Sequence, residues 1–228
     1  MDKADTAWLI VSTALVLLMT PALALFYGGM VHRKNVLNTM LLSFLMMGIV
    51  SLLWVLVGYS IAFGHSTTGL FGSFEYVLGH GISLTAPYPY VTQTIPAALF
   101  MLFQMKFAII TPALISGAIA ERVKLRGYII LTILWSLLIY APLACWVWNP
   151  GGWLFKLGAL DFAGGTVVHL ASGVSALALV LVVGKRKDLS PAPNNLVLTL
   201  LGAGLLWIGW FGFNAGSALA INDVAVNA

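Results

Sequence analysis

The chain alternates between long apolar runs and short polar connections. Six of the runs can cross a bilayer, since a helix rising about 1.5 Å per residue needs about 20 apolar residues to span about 30 Å of hydrocarbon. The pattern predicts helices over residues 7–31, 36–63, 95–119, 127–148, 160–183 and 196–220. We therefore expect an all-α fold in which residues 1–228 form one polytopic transmembrane helical bundle.

The first apolar run does not have the pattern of a signal peptide. The chain opens with Asp2 and Asp5, has no basic n-region, and its first run is longer than the apolar core of a leader. The 23 glycines concentrate in the apolar runs, which is typical of helices that pack closely in lipid. The sequence thus predicts a bundle of true spans rather than a simple anchor.

The composition changes the picture by excluding several classes of protein. The chain is 61% hydrophobic and only 8% charged, against about 25% charged residues in soluble domains. Its single cysteine, Cys145, excludes an internal disulfide framework and a cysteine metal cluster. The sequence shows no metal-ligand spacing, phosphate-binding loop or nucleophile–base constellation. We therefore expect a membrane protein that is not an enzyme and has no metal or cofactor.

The cationic residues lie mostly on one side of the predicted bundle. Eight of the 11 Lys and Arg residues fall in the first, third and fifth connections: Arg33, Lys34, Arg122, Lys124, Arg126, Lys185, Arg186 and Lys187. The positive-inside rule places these connections in the cytoplasm and the N-terminus outside. The basic composition then reflects topology, so no nucleic-acid partner is expected.

A histidine lies near the middle of the fifth predicted span. His169 follows Asp161 by about eight residues, or about 12 Å along a helix, which places it near the bilayer midplane. Gly165 and Gly173 leave one side of it almost bare, so a helix or a lumen can approach the imidazole. His169 is either a residue of a polar pathway or a buried histidine bonded to a neighbouring helix. Asp161 is expected to cap the start of its helix rather than to contact a ligand.

Aromatic side chains cluster towards the outer ends of the spans. Trp148 ends the fourth span, Phe103 and Phe107 share a face of the third, and the sixth carries a stripe of Trp210, Phe213 and Ser217. Interfacial belts and core packing explain most aromatic residues in membranes. A hydroxyl on the same face as aromatic rings can also hold a small cation by hydrogen bonding and cation–π attraction.

Two charged sites on the third span lead to further expectations. Lys106 lies within the span, and we expect it to face away from any lumen, because a fixed positive charge obstructs a cation path. Glu121 and Arg122, at the cytoplasmic end of the same helix, are expected to form a structural ion pair.

Five sequence stretches resemble the ammonium transporter (Amt/Mep/Rh) family, most closely its Amt branch. They are ALFYGGM at 24–30 with KNV at 34–36, the two pairs FQ and FA at 103–104 and 107–108, GAIAER at 117–122, DFAGGTVVH at 161–169 and GWFGFNAGS at 209–217. They follow the family's order over nearly the whole chain, and the last two are long and specific.

The resemblance implies a fold and an activity. It implies the first six helices of an eleven-helix pore with two inverted repeats, in a homotrimer whose subunits each carry a pore. It also implies passage of ammonium or ammonia across the cell membrane for nitrogen uptake, and a trimeric nitrogen-regulatory signalling protein as a partner. The second pore histidine does not follow in the chain, so we expect a fragment or a chain that needs a complementary half.

The resemblance also assigns an outer recruiting site and a gate. Trp148, Phe107 and Ser217 match the external site that recruits ammonium, and Phe107 and Phe213 match the stacked phenyl rings below it. Cys145 departs from the family, since a histidine often stands at this position.

Three more residues receive roles from the resemblance. His169 matches the first of two hydrogen-bonded pore histidines, Trp210 matches a position near the lumen wall, and Asp161 matches a structural acid near the recruiting site. The predicted function is therefore transport of ammonium or ammonia through an apolar pore. The alternatives are an ammonium sensor that signals through a fused or partner domain, and an unrelated cation transporter whose handling of ammonium would not depend on His169 or Ser217.

Overall fold

The computed structural model of the chain describes residues 1–91, 93–186 and 193–228. Within these residues, six helices are long and apolar enough to cross a membrane. They are α1 (Lys3–Met30), α2 (Arg33–Phe63), α3 (Ala97–Ile119), α4 (Leu125–Lys156), α5 (Gly165–Val183) and α6 (Leu196–Ala218), and a short helix α7 (Asp223–Asn227) lies after them. The prediction of an all-α, multi-span bundle is confirmed.

Local hydrogen bonds and turns, and not hydrophobicity alone, determine where the helices begin and end. α1 begins at Lys3 rather than at residue 7, because the Asp2 carboxylate accepts bonds from two amides of the first turn. α4 passes through a turn at residues 149–152 into a short last segment, Trp153–Lys156. α5 begins at Gly165 rather than at residue 160, because the residues before it form a capped loop.

Three turns in the described residues are wider than an α-helix. They are π-helical and lie at Trp54–Gly58 in α2, Ser136–Tyr140 in α4 and Gly165–Leu170 in α5. The first two are neighbours, with the ring centroids of Trp54 and Tyr140 6.1 Å apart. A π-helical turn departs from regular α-helical spacing, so the hydrophobic pattern did not predict these turns.

α1 and α6 pack side by side along much of their length. A side chain at Gly202 would strike the backbone of Phe26, and one at Gly212 would strike Ser12. In lipid, helix association depends on van der Waals packing, and small residues allow the two backbones to approach. The glycines of α6 therefore determine how closely this helix lies against α1.

The six spans differ in how far the rest of the chain covers them. In the most apolar 18-residue stretch of α3, 61% of the residues are buried, whereas 22% are buried in the corresponding stretches of α5 and α6. Among the described residues, α3 is thus the central helix and α5 and α6 are the least covered. Large apolar side chains exposed on these two helices include Leu170, Val174, Leu177, Leu200, Trp207 and Phe211.

The long connection between α2 and α3 folds back over the ends of these helices. Tyr88 is 1% exposed, donates a 2.6 Å hydrogen bond to the Phe63 carbonyl, and stacks on Phe100 with the ring centroids 5.2 Å apart. Asn149, in the turn of α4, donates to the carbonyls of Ala62 and Gly64. The connection is therefore packed against the bundle.

Glu121 joins three parts of the chain at the opposite end of the bundle. Its carboxylate accepts bonds from the His32 amide (2.9 Å), from Asn35 Nδ2 (2.9 Å) and from Arg186 Nη1 (3.0 Å). Burial raises the pKa of the Glu121 carboxyl, but the hydrogen bonds from Asn35 and His32 lower it by more, so the pKa falls to about 2. Glu121 therefore acts as a fixed anion that links the turn after α3 to the start of α2 and to the residues after α5.

The expected ion pair between Glu121 and Arg122 is wrong. Arg122 Nη1 donates to the Gly184 carbonyl, and Nη2 donates to the Ala118 carbonyl. The guanidinium thus caps the carboxyl ends of α3 and α5, where the helix dipole favours a cation. Adjacent side chains diverge here because Glu121 has a positive φ of 68°. Lys187, assigned to the cytoplasmic side from the sequence, lies outside the described residues.

Replacing Gly202 with alanine should destabilise the protein by about 2 kcal/mol, because the added methyl group overpacks the contact with α1. Gly204 is the matched control, since a Cβ there meets nothing within 4 Å, and Gly204→Ala should leave stability unchanged or raise it slightly. Thermal unfolding in detergent, followed by size-exclusion chromatography, measures both. Equal behaviour of the two variants would show that α1 and α6 are not closely packed.

Glu121→Gln should lower stability at pH 7 by about 2 kcal/mol, because the amide replaces a charged acceptor of several hydrogen bonds. The folded pKa of about 2 lies below the ordinary 4.5, so the carboxylate stabilises the fold above that ordinary value and the effect is lost as the pH falls toward 2. The difference from the wild type, measured by thermal unfolding, should therefore be smaller at pH 3 than at pH 7. Asp223→Asn, on the exposed helix α7, serves as the control and should show no such difference.

Candidate functional site

A cavity of about 160 Å³ opens at the end of the bundle where α3 begins and α6 ends. We call it the outer cavity, because the sequence predicts that this end of the bundle lies outside the cell. Its lining includes Phe107 from α3, Trp148 from α4 and Ser217 from α6. The three residues assigned to a recruiting site from the sequence are thus brought together in space, although they are far apart along the chain. Phe103 and Phe162 make much of the remaining wall aromatic.

One buried phenyl ring lines the outer cavity, and a second buried phenyl ring lies against it. Phe107 and Phe213 are each 1% exposed, and their ring centroids lie 4.4 Å apart with an interplanar angle of 35°. Phe107 also meets Trp148 edge-on, with the centroids 6.0 Å apart at 89°. Rings at this separation leave no space for a molecule between them, so a molecule can pass only if one or both rings rotate.

The hydroxyl of Ser217 presents its acceptor side to the outer cavity. Ser217 Oγ donates a 2.7 Å hydrogen bond to the Phe213 carbonyl one turn earlier. A hydroxyl has one donor and two acceptor lone pairs, so this bond leaves only lone pairs for a group in the cavity. Ser217 is therefore oriented to receive an N–H donor.

Two glutamines in the same lining were not identified from the sequence. The Oε1 atoms of Gln93 and Gln104 are buried and meet no hydrogen-bond donor within the described ranges. Gln104 could have been found, because it lies three residues before Phe107 and therefore on the same face of α3. Gln93 lies in a connection, where no periodic pattern indicates a direction. Both add carbonyl acceptors to an otherwise aromatic cavity.

Asp161 organises the loop that leads into α5. Its Oδ1 accepts a 2.6 Å bond from the Gly164 amide, and its Oδ2 accepts bonds of 2.8 and 2.9 Å from the amides of Thr166 and Val167. Its backbone carbonyl accepts a 2.9 Å bond from Trp148 Nε1. The carboxylate is thus occupied by backbone donors, and the same residue fixes the indole of the outer cavity.

His169 lies beyond the two phenyl rings, in the π-helical turn of α5. Its ring centroid is 5.8 Å from Phe213 and 6.4 Å from Trp210, and the imidazole and indole planes are inclined by 23°. His169 is exposed, Trp210 is 38% exposed, and no protein group in the described residues binds the imidazole nitrogens. The imidazole therefore lies on an open side of α5 and α6, next to the rings but not enclosed.

Lys106 and Cys145 lie apart from these groups. Lys106 is half-buried, and its Nζ approaches Met105 Sδ at 3.8 Å, while Cys145 is fully buried in α4. Neither residue lines the outer cavity.

The arrangement suits a small cation that can also donate hydrogen bonds. Among the described residues, the lining of the outer cavity offers aromatic surfaces and oxygen acceptors without an ionised side chain. Aromatic faces attract a cation by about 0.5–2 kcal/mol per ring, most strongly where water is excluded. Beyond the cavity, buried phenyl rings make further movement of a charge costly.

Comparison with known proteins identifies a family over most of the chain. The family model described as Ammonium Transporter Family matches residues 7–228. The chain is 49% identical to ammonium transporter Amt1 of Archaeoglobus fulgidus, over 100% of this chain and 56% of that protein. The chain thus spans about half the length of the curated relatives it matches.

Solved structures share the fold. The crystal structure of Saccharomyces cerevisiae Mep2 matches with a TM-score of 0.91 and 36% identity, over 99% of this chain and 51% of that one. A structure described as a Sensor Amt Protein matches with a TM-score of 0.85 and 32% identity, over 96% of this chain and 56% of that one.

Asp161→Ala should lower stability by about 2 kcal/mol, because three backbone amides lose their acceptor. Asp161→Asn keeps one acceptor oxygen and should lose roughly half as much. Thermal unfolding in detergent ranks the three proteins. If the Asp161→Ala and Asp161→Asn variants were both as stable as the wild type, the carboxylate would not hold this loop.

Proposed function

Since the chain belongs to the ammonium transporter family, we propose that it forms part of a pathway for ammonium or ammonia across the cell membrane. The family is one of transporters, in agreement with the prediction that the chain is not an enzyme. The observation that carries the proposal is the convergence of Phe107, Trp148 and Ser217 on one cavity, with Phe213 and His169 directly beyond it.

The outer cavity acts as the recruiting site in this proposal. An ammonium ion there is attracted by the faces of Phe107 and Trp148 and donates a hydrogen bond to Ser217 Oγ. Gln104 Oε1 supplies another acceptor. Alkali cations of similar size lack directed N–H donors, so the hydrogen bonds favour ammonium over them.

The phenyl rings and the histidine act after recruitment. Phe107 and Phe213 form the gate, and a species crossing it leaves water behind, which costs far more for a cation than for neutral ammonia. His169 lies just beyond the gate and offers a nitrogen that can accept or donate a proton. Trp210 forms part of the wall beside it.

The open side of α5 and α6 requires a cover in this proposal. A polar imidazole that faces lipid is costly, and a lumen needs a wall on each side. We therefore assign the exposed side of His169 and Trp210 to contact with further membrane-spanning segments, which complete an eleven-helix fold of inverted repeats and bring a second histidine. These segments belong either to a longer chain or to a complementary half.

The assembly and orientation follow the same proposal. In this proposal, the positive-inside rule puts the N-terminus outside and the cationic residues that follow α1, α3 and α5 in the cytoplasm. The complete protein forms a homotrimer with one pathway per subunit, and a trimeric nitrogen-regulatory signalling protein binds at the cytoplasmic face.

A second candidate function is ammonium sensing. The fold of the structure described as a Sensor Amt Protein covers 96% of this chain, so the same helices occur in a protein with that description. In a sensor, the outer cavity binds ammonium and the change is passed to a fused or partner domain. Transport and sensing differ in whether bound ammonium crosses the membrane.

Uptake of labelled methylammonium distinguishes these functions. The chain is expressed in cells without their own ammonium transporters, either alone or together with the C-terminal half of the Archaeoglobus fulgidus relative as the covering segments. We expect uptake only with both parts. Ser217→Ala should then raise the half-saturating concentration about tenfold, equivalent to about 1.4 kcal/mol for the lost hydrogen bond to a cation.

The control is Ser51→Ala, which removes a hydroxyl from α2 outside the lining of the outer cavity, and it should leave uptake unchanged. Uptake by the chain alone at the rate of the pair would refute the need for covering segments. An unchanged half-saturating concentration in Ser217→Ala would refute the recruiting role. Ammonium binding without uptake by the pair would favour the sensor.

A further inference from the structure

A second cavity, of about 470 Å³, opens at the end of the bundle opposite the outer cavity. Its walls come from the connection between α1 and α2, the first turn of α2, the turn after α3 and the end of α5 with the residues that follow it. We call it the basic cavity, and its charged and polar lining includes Lys34, Asn35, Glu121, Arg122, Lys185 and Arg186. It shares no lining residue with the outer cavity within the described part of the chain.

The charges in the basic cavity are unbalanced. Lys34, Arg122, Lys185 and Arg186 bring four positive charges, while Glu121 is the one carboxylate that the described residues place in the lining. Arg186 is bound to Glu121 at 3.0 Å, which satisfies both partners in part. The remaining three cations therefore give the cavity a net positive potential.

The two lysines are the least satisfied of these cations. Lys34 and Lys185 are exposed, and neither has an ion pair or side-chain hydrogen bond to any of the residues that the structure describes. Arg122, by contrast, donates to two backbone carbonyls and is thereby held in place. The basic cavity thus combines fixed guanidinium groups with two ammonium groups that have no partner among the described residues.

We propose that the basic cavity binds a phosphate group, supplied either by free phosphate or by the headgroup of an anionic lipid. Phosphate oxygens accept bonds from several cationic donors at once, and both guanidinium and ammonium groups recognise them. The lining residues lie in the first turn of α2 and at or just beyond the ends of α1, α3 and α5, which is the depth of lipid headgroups. Basic pockets between transmembrane helices on the cytoplasmic side bind such headgroups.

Binding has a structural consequence. A phosphate held between Lys34 and Lys185 bridges the first turn of α2 to the residues that follow α5, in parallel with the bridge that Glu121 already makes from Asn35 to Arg186. The ligand therefore stabilises the folded protein by mass action. This consequence does not depend on the ammonium pathway, because the two cavities lie at opposite ends of the bundle.

The test measures thermal stability of the purified chain with two probes. Inorganic phosphate is titrated into the protein in a zwitterionic detergent, and the protein is also compared in phosphatidylcholine nanodiscs with and without phosphatidylglycerol. The site variant is Lys34→Gln with Lys185→Gln, and the control is Arg33→Gln with Arg126→Gln. Both pairs remove two cations from the same side, but only the first pair lines the basic cavity.

At least one probe should raise the unfolding temperature of the wild type and of the control, and the site variant should need about tenfold more probe for the same rise. A response to inorganic phosphate identifies free phosphate as sufficient, and a response to phosphatidylglycerol alone identifies the headgroup. If both variants lost the rise in unfolding temperature to the same extent, the effect would come from general surface charge and the proposal would be overturned. No response to either probe would also overturn it. If the double variant does not fold, the single variant Lys34→Gln should show a smaller loss of the same sign.

Discussion

The close approach of α1 and α6 is the contact on which the rest of the structure depends. Gly202 and Gly212 let the backbones of the two helices meet, and Gly216 continues the contact against Ser12 and Phe103. Because α3 packs on α1 as well, this approach fixes the distance between the ring of Phe107 and the ring of Phe213. A wider spacing of α1 and α6 would separate the two rings and open the floor of the outer cavity.

A single residue likewise positions several groups at the start of α5. Asp161 binds three amides with its carboxylate and the Trp148 indole with its carbonyl, so it places both the outer cavity and the turn that carries His169. Both carboxylate oxygens are engaged by the backbone in this arrangement. Asp161 therefore affects the proposed cation path by holding the loop that positions Trp148 and His169, and its carboxylate is not free to bind the cation.

The two ends of the bundle present opposite chemistry. Within the described ranges, the outer cavity is lined by rings and oxygen acceptors and by no ionised side chain, whereas the basic cavity is lined by four cations and one carboxylate. A cation is attracted to the first end and repelled by the second, and an oxyanion behaves in the reverse way. In the two proposals, ammonium and phosphate bind at opposite ends of the bundle and therefore do not compete.

The sequence by itself determined the class of fold, because the length and apolarity of a run decide whether it can span a bilayer. The family resemblance also selected Phe107, Trp148, Ser217 and His169. Only the tertiary structure decided which groups meet: Gln93 lines the outer cavity, and Glu121 binds Arg186 rather than its neighbour Arg122. Such contacts join residues from different helices, and a periodic pattern along one helix carries no information about the helix that will face it.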